Sequence, residues 1–476
     1  MENPLVKSVG LTFAVVIAAF AVRAFWIGHP VLWNDELFTI VYARESYDYL
    51  VSLTRSSDIH PPLFYLVVKG VAELFGEGDG TGLRLISASA AALSVGLLFL
   101  FVRPRFGLGV ALLAALFFVF LPVSVHYGRE LRTYAFLALS LLAAILCFIQ
   151  ALSDDRSRRE RRMFAAGYMA ALAVSFHLHY SAAVYFVLFG AASLAVWGID
   201  RDAGKVRMAM GATVLAGILC LPQAFHFVWA RTQVTGDFWI APTTLRTFYS
   251  VSLGAYPFPA WAKPVVYLLY LFGAWQLWQL DRKVAAVAFC FLVGGPLLVA
   301  LIGVFTPAYL VRTIQAFTVL SPLLLALAVC ALPRLARAPV VAALAAVHVV
   351  AILPSYPSEK QPLAVDEITA LFGDTRPDVV YYHAPLARQF DVRGVSTDGW
   401  HTVRLEDRGG LDEIETRLSS CSVTLPCRSI AVVMERAPRF QKEDGRIWME
   451  RMDALAAEHG ADLDTDRSGM RVLLFE

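Results

Sequence analysis

LRLISASAAALSVGLLFLFVRPRFGLGVALLAALFFVFLPVSVHYGRELRTY (83–134) is the stretch on which the architecture turns. It holds two apolar runs, 83–102 and 107–124, separated by a short turn with Arg103 and Arg105 and followed by the polar HYGRELRTY (126–134). Each run is close to the roughly 20 apolar residues that an α-helix needs to cross a bilayer. The pattern predicts a membrane hairpin with basic residues on one side and a polar, charged segment on the other.

Reading outward, the same kind of run recurs at 8–27, 134–152, 163–179, 181–198, 208–227, 264–280, 284–305, 313–331 and 340–354. With the first two, this predicts eleven membrane helices. The run at 8–27 reads as a span rather than a cleaved signal, because many spans follow and no clean small-residue cleavage site precedes Trp26. Composition agrees. Of 476 residues, 58% are hydrophobic and 17% charged, against about 45–50% and about 25% in soluble domains. That excludes a disordered or collagen-like chain. Six cysteines exclude a disulfide scaffold, and a net charge of +2 gives no nucleic-acid signature.

Basic residues in short loops orient the spans. Arg103 and Arg105, the cluster Arg156, Arg158, Arg159, Arg161 and Arg162, then Arg201, Lys205 and Arg207, Arg282 and Lys283, and Arg334 and Arg337 all fall on the side of Lys7. That side is expected to be cytoplasmic, with the C-terminus outside. Residues 61–75 (PPLFYLVVKGVAELF) are too short and too charged for a span, and counting them as one would invert every later loop. They read as a helix in the outer interface, inside a long external loop of about 28–81. A second external loop, about 228–262, is rich in aromatics and proline.

The chain changes character near Ser355. LPSYPSEKQP (353–362) reads as a linker, DVVYYH (378–383), SIAVVME (429–435) and MRVLLFE (470–476) as strands, and DEITALFG (366–373) and RIWMERMDALAAEHG (446–460) as helices. The expected organisation is a membrane domain over 1–354 and a small external α/β domain over 355–476, which carries 22 acidic against 15 basic residues. Cys421 and Cys427 fall in that domain, where an oxidising exterior favours a disulfide over two buried thiols. No zinc-type Cys or His spacing occurs.

Ionisable residues at the edge of an apolar phase are costly and mark function by default. Four groups stand out, all on the outer side. Asp35 and Glu36 follow the first span in Trp33-Asn34-Asp35-Glu36, a pattern that also suits a helix start. His60 precedes Pro61 and Pro62, which hold it extended, with Tyr65 three residues beyond them. In HYGRELRTY, Arg129 and Arg132 form a candidate phosphate fork, Glu130 a metal or hydroxyl partner, and Tyr134 closes the motif; the alternative is pairing among themselves. His179 and Tyr180 end the fifth span, and Arg312 lies in a short external loop with Tyr309, where it either binds a phosphate or anchors a helix at the headgroups.

In this order the pieces resemble a family. The acidic pair is followed by Pro-Pro-Leu-x-Tyr (61–65), Leu-Phe-Gly (74–76), Arg84-Leu85-Ile86-Ser87, Tyr-x-Arg-Glu-x-Arg-x-Tyr (127–134), Leu221-Pro222-Gln223, and Phe238-Trp239-Ile240 with Pro242. The set resembles the polytopic glycosyltransferases of the GT-C fold, the group of the protein O-mannosyltransferases, the lipid A aminoarabinose transferase and the rhizobial lipopolysaccharide galacturonosyltransferases. The likeness covers about 1–320.

The resemblance implies a mainly α, polytopic fold and a hexosyl or pentosyl transfer from a polyprenyl-phosphate donor to an acceptor hydroxyl of a glycan, lipid or protein. The reaction would invert the anomeric carbon, on the outer face of a bacterial inner membrane. It puts the catalytic acids at Asp35, with Glu36 beside it, and at Glu130. His60, Tyr65, Arg129, Arg132, Tyr134, His179, Tyr180 and Arg312 are then the substrate-binding candidates. The family often has Lys where His60 stands. No cofactor is required, and a divalent ion, Mg or Mn, held by Asp35 and Glu130 with waters is the open alternative. Expected partners are the lipid-linked donor, the acceptor and membrane lipids. The rival readings are a polyprenyl-lipid flippase, which inverted repeats or midplane charges would favour, and a non-catalytic binding protein of the same fold.

Overall fold

The computed structural model describes residues 4–30, 32–52, 60–78, 80–233, 242–306, 308–356, 379–383, 401–403, 412–416, 418, 430–435, 443–459, 461, 463–467 and 470–475. The helices in chain order are α1 (Pro4–Ala24), α2 (Asn34–Arg44), α3 (Tyr47–Ser52), α4 (Leu63–Phe75), α5 (Arg84–Phe106), α6 (Leu108–Val119), α7 (Pro122–Tyr127), α8 (Tyr134–Ala151), α9 (Arg158–Leu178), α10 (Ala183–Asp200), α11 (Ala203–Gln233) and α12 (Leu245–Gly254). They continue with α13 (Lys263–Leu280), α14 (Arg282–Phe289), α15 (Gly295–Phe305), α16 (Val311–Ile314), α17 (Ser321–Ala331), α18 (Arg334–Ile352) and α19 (Glu443–His459).

Every run expected to span coincides with a helix. Among the described residues seven helical stretches are long and apolar enough to cross a membrane: Thr81–Phe106, Tyr134–Ala151, Tyr180–Asp200, Ala203–Val228, Arg282–Phe305, Val311–Ala331 and Arg334–Ser355. The other four expected spans fall short of that measure. Leu108–Val119 is apolar but shorter, and of α1 only Val9–Ala24 enters the measure, while α9 and α13 are diluted by arginines, glutamines and aromatic amphiphiles. The result is a multi-pass membrane protein of mainly α class.

Two compact units divide the chain: residues 1–27, 45–77 and 81–357, and residues 28–44, 78–80 and 358–476. In the first, the stretch Val311–Ala331 is the core helix, 89% of it buried, while Arg334–Ser355 is peripheral at 22%. Close packing around the core helix depends on a missing side chain. At Gly273 of α13 a Cβ would meet the Leu324 carbonyl oxygen of α17 at 1.9 Å. The turn expected between the first two quoted runs is made by Gly107, whose φ of +85° ends α5 and starts α6. α4 is the amphipathic helix expected over 61–75: Phe64, Tyr65 and Val68 are buried, while Leu74 and Phe75 are exposed.

The second unit holds α2 and a five-stranded sheet. Its order is β2 (His401–Val403), β1 (Val379–His383), β3 (Ile430–Glu435), β5 (Met470–Phe475), β4 (Leu463–Arg467). β2, β1 and β3 are parallel, and β5 and β4 are antiparallel. Tyr381, Ile430, Val432 and Leu473 pack with Met452 and Leu455 of α19. Three strands and α19 fall where the sequence predicts them. β2 and β4 were not expected; they are short and polar. The helix expected at 366–373, the Cys421–Cys427 pair and Phe238-Trp239-Ile240 lie outside the described residues.

Candidate active site

The site of the first unit is built on the segment 122–134, between α6 and α8. Pro122 starts α7, which ends at Tyr127. The chain then makes a tight turn in which the Arg132 N–H donates to the Glu130 carbonyl at 2.8 Å. Neighbours hold this backbone firmly. Ser87 Oγ donates to Arg132 O at 3.4 Å, Thr133 Oγ1 to Leu178 O at 3.1 Å, and Gln315 Nε2 to Tyr134 O at 2.8 Å.

The expected fork of Arg129 and Arg132 does not form. Arg129 is buried and turns back to the end of α1. Its Nη1 donates to the carbonyls of Arg23, at 2.8 Å, and Phe25, and its Nη2 to that of Trp26 at 3.1 Å. The last carbonyls of a helix lack intrahelical partners and carry partial negative charge, so a guanidinium is favoured there. Burial lowers the Arg129 pKa. Arg132, three residues on, points elsewhere: its Nη2 lies 3.4 Å from His60 Nε2.

Around Arg132 four other sequence candidates converge. The rings of His60 and His179 meet edge to face at 5.6 Å, and Tyr134 lies 6.1 Å from His179. Arg312 is within electrostatic reach of both His179 and Tyr127. His179 Nδ1 accepts from the Ser181 N–H at 3.1 Å, capping a short 3-10 turn; a neutral imidazole then keeps its proton on Nε2 and is a hydrogen-bond donor. Glu130 pairs through Oε1 with His126 Nε2 at 3.2 Å, whereas its Oε2 is buried with no hydrogen-bond partner among the described residues. Burial, reinforced by Glu130, pushes the Tyr127 phenol up. A buried carboxylate oxygen without a donor is costly unless a substrate group supplies one.

Two more candidates are buried. Tyr180 is buried against Phe227, 4.5 Å between rings, and its hydroxyl accepts from Gln223 of the Leu-Pro-Gln motif. Tyr65 is buried on α4. In the second unit, Glu36 is fully buried and accepts from the Trp33 N–H at 3.2 Å, so it closes the N-terminus of α2. Asp35, in the first turn of the same helix, is only partly buried. Among the described residues no three His, Cys, Asp or Glu gather as a metal site.

Sequence reading missed Arg23. It is fully buried, donating to Val119 O at 3.2 Å, Phe118 O at 3.3 Å and Ser124 Oγ at 2.9 Å. In the sequence it looks like any basic residue at the end of a span. The one trace is Gly128, where a Cβ would come within 3.0 Å of Arg23 Cδ.

Two residues beyond Arg312, Ile314 lines an apolar cleft of about 220 Å³, with Phe248, Tyr256, Leu292, Leu297 and Phe317. Leu292 lies in a π-helical turn, Cys290–Gly294, between α14 and α15. Such turns widen a helix and recur at functional sites.

Residues 59–229 match the family described as dolichyl-phosphate-mannose-protein mannosyltransferase. No curated protein matches the chain. Among solved structures, apo ArnT from Cupriavidus metallidurans is similar with a TM-score of 0.65 at 14% identity, covering 99% of this chain and 98% of that one. ArnT bound to undecaprenyl phosphate gives 0.58 at 14% identity, covering 99% and 97%. The archaeal oligosaccharyltransferase AglB from Archaeoglobus fulgidus, in complex with an inhibitory peptide and a dolichol-phosphate, gives 0.55 at 9% identity, covering 96% and 72%. The chain therefore has the GT-C fold of polytopic membrane glycosyltransferases, with a partial match over residues 59–229 to the dolichyl-phosphate-mannose-protein mannosyltransferase family model.

Proposed function

We propose that the protein moves a sugar from a polyprenyl-phosphate donor to an acceptor hydroxyl on the outer face of a bacterial inner membrane. The observation that carries this reading is the convergence of His60, Arg132, His179 and Arg312, with Arg132 two residues from Glu130, a carboxylate with one buried oxygen. Two guanidinium groups and two imidazoles suit a phosphate that gains charge as it leaves; preorganised donors of this kind are usually the largest catalytic factor. The cleft beside Ile314 suits a prenyl chain, and ArnT has been crystallised with undecaprenyl phosphate.

In the reaction, the acceptor oxygen attacks the anomeric carbon as the bond from that carbon to the phosphate oxygen breaks, on the opposite face, giving inversion. The hydroxyl proton passes to a carboxylate, and the electron pair of the broken bond stays on polyprenyl phosphate. Asp35 is assigned as that base. Glu36 seats the helix that carries Asp35, and Glu130 Oε2 accepts from a sugar or acceptor hydroxyl. An AglB structure was obtained with zinc and sulfate, so the assay includes a divalent-ion arm. The N-terminus is assigned to the cytoplasm. Residues 1–354 are assigned to the membrane domain and 355–476 to an external one.

The test uses full-length protein in nanodiscs with a panel of polyprenyl-phosphate hexoses and pentoses, candidate acceptors, and EDTA with and without added Mg. Wild type is expected to release polyprenyl phosphate from one donor, and Asp35→Asn to be slower by at least about 100-fold. A wild type that binds a donor and never turns it over overturns the reading. Loss of turnover in EDTA that Mg restores brings the metal in.

A further inference from the structure

The last helix of the bundle ends just before Tyr356, which lies against the end of the first. Five carbonyls there accept hydrogen bonds from side chains distant in sequence. Tyr356 Oη donates to Val22, Arg129 to Arg23, Phe25 and Trp26, and Arg84 Nη1 to Ile27 at 3.0 Å. The Tyr356 ring also covers the Arg129 guanidinium, 4.3 Å from its carbon, and meets Phe25 at 5.9 Å. One face of Arg129 is thus held by an aromatic ring, and its edge by three carbonyls.

We propose that Tyr356 is a positioning residue for the transfer reaction, locking Arg129 onto the end of α1 and thereby setting the place of Glu130 and Arg132. This rests on the transferase reading above. The segment has little slack to absorb a shift. Arg129 N–H donates to His126 O at 3.1 Å, and the tight turn from Glu130 to Arg132 follows directly. From the other direction, Arg23 holds Ser124 and the last carbonyls of α6. A displaced guanidinium must carry Glu130 with it. Tyr356 is also next to the point where the chain passes from one compact unit to the other, between Pro357 and Ser358.

The experiment compares wild type, Tyr356→Phe and Tyr356→Leu, full length in nanodiscs, by steady-state kinetics on the donor that wild type uses and by hydrogen exchange. Tyr356→Leu should lower kcat about 10- to 100-fold, the scale of a small misplacement, with donor KM within about twofold. Exchange should quicken in 126–132 and stay unchanged in 158–178. Tyr356→Phe, which keeps the ring, should fall between. A Tyr356→Leu variant with normal exchange in 126–132, or with unchanged kcat per folded molecule, overturns the proposal. If wild type turns over no donor, the transferase reading fails, while the exchange data still decide whether Tyr356 fixes Arg129.

Discussion

Arg129 and Arg132 share a motif and a side chain yet do different work. Arg129 is committed to three carbonyls, while Arg132 meets His60 and lies near His179. Arg132→Gln should therefore cut kcat/KM for the donor by roughly 100- to 1,000-fold, as removal of one preorganised charge donor does, with the melting temperature little changed. Arg129→Gln should lower the melting temperature, because buried carbonyls lose their donors, and should lower kcat as well, through the displaced Glu130. Thermal melts beside donor kinetics separate the two. Arg132→Gln losing stability but not activity would reverse these roles.

At the level of elements, α13 and α17 approach so closely that Gly273 faces the Leu324 carbonyl at a distance no Cβ tolerates. Gly273→Ala should destabilise by roughly 1–3 kcal/mol, the usual cost of overpacking. Gly190→Ala in α10, where nothing lies within 4 Å, should be neutral or mildly stabilising. Melting curves of both in one detergent decide it. The loops at the other end of the bundle are joined by charge. Lys283 bonds Asp154 at 2.8 Å and Asp200 at 2.7 Å, and Lys205 also bonds Asp154. Hydrogen bonds from Lys205 and Lys283 hold the Asp154 pKa near about 2, below the unfolded value of about 3.9. Its stabilisation is present above the unfolded value and is lost as pH falls towards 2. The gap in melting temperature between wild type and Asp154→Asn should thus be largest at neutral pH, shrink below about pH 4 and close towards about pH 2. The gap will be small, since the Asp154 side chain is 69% exposed.

For the molecule as a whole, the proposed orientation places residue 78 outside and residue 156 in the cytoplasm. Alkaline phosphatase fused after residue 78 should be active, and after residue 156 inactive; the reverse pattern would invert the assignment and move the site to the inner face. The same orientation puts His60, Glu130, His179 and Arg312 on the side where a flipped lipid-linked sugar is presented. A prenyl tail costs about 0.8 kcal/mol per CH₂ to remove from the bilayer, so a site at the edge of the apolar phase is where such a donor can be used.

The apolar helices were legible because each is a local matter: a run of apolar residues about long enough for the bilayer, broken by charges or proline. So was the identity of the candidate residues, since a charge beside an apolar run is conspicuous wherever the chain later takes it. The sequence also marked the amphipathic helix α4, where Phe64, Tyr65 and Val68 sit at helical spacing. Tertiary structure alone decided which polar residues meet. His60, Arg132, His179 and Arg312 are separated by scores of residues, and only helix packing brings them together. It alone showed Arg129 bonded to the end of α1, Glu36 to the Trp33 N–H and Tyr180 to Gln223, and it revealed Arg23 and Tyr356. The physical reason is direction. A sequence gives the charge and hydrogen-bonding capacity of a side chain, but whether a guanidinium faces a ligand or a helix end depends on where its neighbours have been packed.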